Sequence, residues 1–90
     1  MYKIEYSSRI KKKIKLCQKR GLKMQLFKDV VKHLEAQGKL PAKYKPHVLK
    51  GKYIGLWECH IQPDWLLIWE QTDTIKLITL IETGTHSDLF

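Results

Sequence analysis

The spacing of apolar residues changes once along this chain, near residue 55. Before that point they recur at helical intervals. Ile10, Ile14 and Cys17 stand among Arg9, Lys11, Lys12, Lys13, Lys15, Lys19 and Arg20, which predicts an amphipathic helix with a basic outer face. Ser7 and Ser8 precede it as natural N-caps, and Gly21 follows it where a positive φ costs least. Phe27, Val30, Val31 and Leu34, extended backward by Met24, predict a second helix that Gly38 ends. The short connection between the two predicts an antiparallel helical hairpin. Ahead of the hairpin, Lys3 to Tyr6 alternates and reads as a short strand.

From Gly55 the period is two. Leu56 to Ile61, Trp65 to Gln71 and Ile75 to Glu82 read as strands, with turns at Gln62-Pro63-Asp64 and Thr72-Asp73. Trp65 to Trp69 and Ile75 to Ile81 are apolar on both faces for much of their length, as central strands are. Three hairpin-linked strands make a meander, to which the first strand adds. The order β-α-α-β-β-β gives an α+β fold, with the helical hairpin packed on a largely antiparallel four-stranded sheet. Residues 1–90 are expected to form a single domain. Residues 39–53 read as a loop held by Pro41 and Pro46, with Lys39, Lys43, Lys45, Lys50 and Lys52 interleaved.

Charge sharpens this picture. Residues 1–52 carry a net +13 and residues 53–90 a net −5, within a total of +8. So lopsided a field draws polyanions to one side and favours nucleic acid, or an acidic protein, as partner. No apolar run approaches a membrane span and no signal-type segment opens the chain, so a cytoplasmic protein without a membrane partner is expected. Cys17 and Cys59 lack metal-type spacing and read as reduced thiols.

The candidate chemistry lies in the second half. Transesterification of an RNA phosphodiester needs a base for the 2′-hydroxyl, an acid for the leaving 5′-oxygen and cationic donors for the phosphorane. Imidazoles suit the first two roles near neutral pH. His47 lies on the basic loop, His60 at the end of a strand, Asp64 across the next turn and His86 just after the last strand. In a simple meander, His60, Asp64 and His86 reach the same rim. Trp65 and Trp69 share a face and read as core, although a rim tryptophan could stack on a base. His33 reads as an exposed helix residue. A zinc site is disfavoured, since Cys59 and His60 point to opposite faces of one strand; neither metal nor cofactor is expected.

Several segments together resemble a known family. They are Ile4-Glu5-Tyr6, Leu16-Cys17-Gln18-Lys19-Arg20-Gly21, Leu40 to Gly51, Glu58-Cys59-His60-Ile61-Gln62-Pro63-Asp64-Trp65-Leu66-Leu67-Ile68-Trp69, and Thr83-Gly84-Thr85-His86-Ser87-Asp88-Leu89-Phe90. The chain is similar throughout to the YafQ-type toxins of bacterial type II toxin–antitoxin systems, within the RelE/ParE superfamily. The H-x-x-P-D-W and G-T-H-x-x-L-F pieces are its specific carriers. The resemblance implies a ribosome-dependent endoribonuclease that cuts mRNA by 2′-hydroxyl attack, leaving a cyclic 2′,3′-phosphate. It implies a cognate antitoxin, DinJ-like or similar, and contact with operator DNA only through the antitoxin complex. Its site residues fall on His47, His60, Asp64, Trp65, His86 and Phe90. His86 and His60 are then the main acid–base candidates, Asp64 an orienter or base, and His47 a phosphate or transition-state contact. Trp65 and Phe90 would pack or stack at the substrate, with Lys45, Lys50 and Lys52 on its phosphates. Lys11, Lys12, Lys13, Lys15, Lys19 and Arg20 would meet ribosomal RNA or the antitoxin. Two other readings stay open: a non-catalytic toxin of the same fold that inhibits DNA gyrase, and a basic RNA-binding module.

Overall fold

A computed structural model describes all residues from Met1 to Phe90. Strand β1 (Lys3–Tyr6) leads into helices α1 (Ser8–Lys19) and α2 (Met24–Gln37); β2 (His47–Val48), β3 (Trp57–Gln62), β4 (Trp65–Thr72), β5 (Leu77–Gly84) and the short α3 (His86–Leu89) follow. The Ser7 hydroxyl caps α1 by accepting from the Ile10 N–H at 3.1 Å. Gly38 ends α2 in the left-handed region, φ 65°, and a Cβ there would lie 2.4 Å from the Tyr2 ring. Only glycine meets both demands.

The sheet runs β1-β5-β4-β3-β2. The three long strands form the expected antiparallel meander, and β1 joins its β5 edge in parallel. The α+β arrangement agrees with the sequence, with one addition. His47–Val48, within the stretch read as loop, pairs antiparallel with Trp57 and Glu58 and makes a fifth strand. A two-residue strand is too short to show a period, so nothing in the sequence marked it.

Central strand β4 is buried on both sides. Trp65, Leu67 and Trp69 face the helices and pack with Ile10 and Cys17 of α1, Phe27, Val30 and Leu34 of α2, and Ile78 and Leu80 of β5. Leu66 and Ile68 face the other way, under Leu89 of α3 and Leu49, Tyr53 and Leu56 from the β2–β3 connection. The helices therefore cover most of one face, while the second is covered only by these shorter segments. No helix is long and apolar enough to cross a membrane.

Candidate active site

The partly covered face carries the candidate residues. Cys59 and Ile61 point toward the helices. Side chains alternate along a strand, so Glu58 and His60 point to the opposite face. There His60 lies between two other imidazoles: its ring is 6.4 Å from that of His47 and 5.7 Å from that of His86. Cross-strand pairing fixes the rows, with His47 opposite Glu58 and His60 opposite Leu66, which is in turn opposite Gly84. Two residues past Gly84, the chain turns into α3 and delivers His86 to the same rim.

Each end of the imidazole row is held by a carboxylate. Asp64 Oδ1 accepts from the His86 backbone N–H at 3.0 Å and pairs with its Nδ1 at 2.7 Å. The Nδ1 proton is thereby fixed, and Nε2 is left to exchange a proton with a substrate. These two hydrogen bonds, the backbone one first, hold the Asp64 carboxyl below its usual range. At the other end, His47 Nδ1 is 2.9 Å from the Lys45 carbonyl and Nε2 is 3.1 Å from Glu58 Oε1. Both ring nitrogens therefore have an oxygen partner, and the ring is anchored from two sides. Lys45 has φ 50°, an uncommon conformation for a residue with a Cβ, and this turns its carbonyl toward His47.

Burial places the remaining candidates. Phe90 is 64% exposed and meets Tyr53, which packs on the same face of the sheet as the imidazoles, edge to face at 5.5 Å. Trp65 is 1% exposed in the helix-side core, where its Nε1 donates to Thr83 Oγ1 at 3.0 Å. Stacking of a base on Trp65 is excluded in this conformation, and its place is in the packing beneath the rim. Lys45 and Lys43 line a 270 Å³ depression with His60, Gln62 and Pro63. Lys52 lies over the Tyr53 ring at 5.5 Å, and Lys50 is exposed beside it. Lys11, Lys12, Lys15 and Lys19 are exposed on α1, which packs on the other face of the sheet. Arg20, expected to meet ribosomal RNA or the antitoxin, binds Asp88 through Nη1 and Nη2, at 2.6 and 3.2 Å, while its side chain stays 40% exposed. That pair ties α1 to α3, behind His86.

Glu58 and Glu82 did not stand out in the sequence. Both lie on the imidazole-bearing face, each opposite Ile68, and each has one buried oxygen without a hydrogen-bond partner. The only available signal for Glu58 was its position two before His60 on a strand. Cys59 is not a ligand candidate, since burial first and the Glu58 charge second push its thiol up to about 12. Cys17 and Cys59 are both free and buried.

Three comparisons with known proteins bear on the family and the fold. The family described as "Bacterial toxin of type II toxin-antitoxin system, YafQ" matches residues 2–90. The mRNA interferase toxin YafQ of Escherichia coli K12 is 43% identical over 88 residues, covering 97% of this chain and 94% of the relative. Among solved structures, the toxin in the E. coli DinJ-YafQ complex superposes with a TM-score of 0.90 at 41% identity, over 100% of this chain and 99% of that one. A metal-bound toxin from Helicobacter pylori gives a TM-score of 0.90 at 37% identity, with both chains covered in full. A family match over nearly the whole chain, with relatives this similar end to end, places the chain in the YafQ family of bacterial type II toxin–antitoxin toxins.

Proposed function

We propose that this protein is an mRNA endoribonuclease that works in the cytoplasm on ribosome-bound message and is neutralised by a DinJ-like antitoxin. The observation that carries the reading is the row His47–His60–His86 with a carboxylate at each end. A passive RNA-binding surface or a gyrase poison has no need of three aligned imidazoles.

The chemistry follows from the two ends of the row. His60 removes the proton from the 2′-hydroxyl, and the 2′-oxygen bonds to phosphorus. The P–O5′ bond breaks, and His86, supported by Asp64, gives its Nε2 proton to the departing 5′-oxygen. One imidazole gains the proton the other loses, leaving a cyclic 2′,3′-phosphate and a free 5′-hydroxyl. His47, anchored by Glu58 and the Lys45 carbonyl, is the contact beside the phosphorane, where negative charge accumulates. Lys43 and Lys45 beside His60 bind flanking phosphate, and Phe90 stacks on a base. No step is routed through a metal ion. Lys11, Lys15 and Lys19 on the outer face of α1 meet ribosomal RNA or the antitoxin, and operator DNA is reached only through the antitoxin complex.

The test is to map mRNA 5′ ends in cells after induction of the wild-type protein and of His86→Ala. New in-frame cuts within coding regions, absent in the variant, are expected. Growth arrest by the wild type with no new 5′ ends would overturn the reading and bring forward gyrase inhibition.

A further inference from the structure

The chain has two arginines, and Arg20 is bound to Asp88. Arg9 is the other. It stands in the first turn of α1, next to the end of β5 that β1 leaves unpaired, and its Nη1 lies 3.6 Å from Glu82 Oε2. The partners differ sharply in exposure: the Arg9 side chain is 69% exposed and that of Glu82 is 6%. Glu82 belongs to the imidazole-bearing face, because it is opposite Ile68, which is opposite Glu58, the partner of His47. The Arg9 guanidinium thus reaches the edge of the catalytic face from the helix layer. Two strand spacings separate Glu82 from the β3 side of the face, roughly 10 Å.

An ion pair this loose and this exposed does not saturate a guanidinium. Arginine carries five N–H donors in a planar fork suited to phosphate. One long contact to Glu82 leaves most of that fork directed to solvent. Around it, Ser8, Arg9 and Lys12 line a 250 Å³ depression with only donor-capable side chains and no carboxylate. Glu82 Oε1 has no hydrogen-bond partner, and a buried carboxylate left half unpaired is costly. It therefore draws the nearest cation toward itself and keeps the guanidinium at this edge.

We infer that Arg9 and Lys12 form a second phosphate-binding subsite at the β5 edge of the catalytic face, with Glu82 as the positioning residue for Arg9. The inference rests on the endoribonuclease reading. Its ligand is a backbone phosphate of the cleaved RNA, one or two linkages from the scissile bond. The subsite lies across the sheet from the Lys43–Lys45 depression, so a strand held at both would cross the imidazole row.

Single-turnover cleavage on ribosomes programmed with short mRNAs tests this. Each mRNA carries one neutral methylphosphonate linkage, moved stepwise through the positions around the cut. Arg9→Gln is expected to slow cleavage of all-phosphate mRNA about tenfold, the usual size of one charge-assisted contact. At one linkage outside the scissile bond, neutralisation should cost the wild type the same factor and Arg9→Gln nothing more. Arg9→Lys should recover part of the rate, and Glu82→Gln should lose part of it with the same linkage dependence. Wild-type rates in Arg9→Gln, or a loss spread evenly over every linkage as ribosomal RNA contact would give, would overturn the subsite. A wild-type protein that leaves the programmed mRNA uncut would instead overturn the endoribonuclease reading.

Discussion

A single oxygen of Asp64 accepts both the backbone N–H and the ring Nδ1–H of His86, at 3.0 and 2.7 Å. This double contact fixes where His86 stands and which nitrogen it offers. It also keeps Asp64 ionised, with a pKa below the ordinary 3.8. A carboxyl depressed on folding contributes fully above its ordinary pKa and loses that contribution as pH falls through its folded value. Asp64 should therefore add no inflection to the rate profile between pH 5 and pH 8, roughly the imidazole range. Asp64→Asn keeps the shape and removes the charge. It is expected to lower the single-turnover rate about 10²-fold with little change in substrate affinity. A variant with wild-type rate would remove Asp64 from the machinery.

The acid and base roles can be separated with a modified substrate. A 5′-bridging sulfur in place of the leaving oxygen departs without protonation. His86→Ala should cut normal RNA about 10²- to 10⁴-fold more slowly than wild type, and the sulfur substrate should restore most of that loss. His60→Ala should be about as slow on both substrates, because the 2′-hydroxyl still needs its base. Rescue of His60→Ala, with none for His86→Ala, would reverse the assignment.

His47 is held differently, and its variants should behave differently. Its ring lies between the Lys45 carbonyl and the Glu58 carboxylate, whose side chain is 6% exposed. As a contact beside the phosphorane, where negative charge accumulates, it can be replaced by a permanent cation. His47→Arg should keep about a tenth of the rate, whereas His47→Ala should lose about 10²-fold. Lys45→Gly preserves the left-handed turn and the carbonyl contact while removing one phosphate ligand, so it should raise the half-saturating RNA concentration more than it lowers the maximal rate. An inactive His47→Arg with an intact fold would show that His47 does more than supply charge.

Much of this arrangement was legible in the sequence, and the parts that were not share a cause. Alternation placed His60 opposite to Cys59 on β3, the turn at Pro63 put Asp64 at the rim, and meander topology brought His86 back to it. Each of these follows from a local period and short connections. His47 was legible as a residue of the basic loop but not as a strand residue, because two residues cannot show alternation. The contacts Arg20–Asp88 and Arg9–Glu82 join residues 68 and 73 positions apart, respectively. Charge pairing at that separation leaves no mark on hydrophobic periodicity; it emerges only when α1 is laid across β5. Trp65 was read both as core and as a possible stacking surface, and its hydrogen bond to Thr83 places it in the core.

The last residues are held by an electrostatic clasp that should matter for rate. Asp88 receives the Arg20 guanidinium through both oxygens, and it also accepts from the Thr85 backbone N–H at 2.9 Å to complete a capping box. The Arg20 contact first, then the Thr85 backbone, hold its carboxyl far below the usual range. Gly84 leaves room for this, since a Cβ there would lie 2.7 Å from the Asp88 carboxylate. The clasp's contribution is complete above pH 3.8, the ordinary value, and is lost only as pH falls through the depressed folded value. At neutral pH, Asp88→Asn should therefore do what acid does to the wild type only under extreme conditions. His86 is the first residue of α3, so loosening the clasp displaces its ring, and a displacement of about 1 Å can cost up to about 10²-fold in rate. Hydrogen exchange at Leu89 and Phe90 should rise in Asp88→Asn while exchange in β4 stays unchanged, and cleavage should fall about tenfold. Unchanged exchange at both residues would show that packing of Leu89 on Leu66 and Ile68, and not the clasp, holds the C-terminal segment in place.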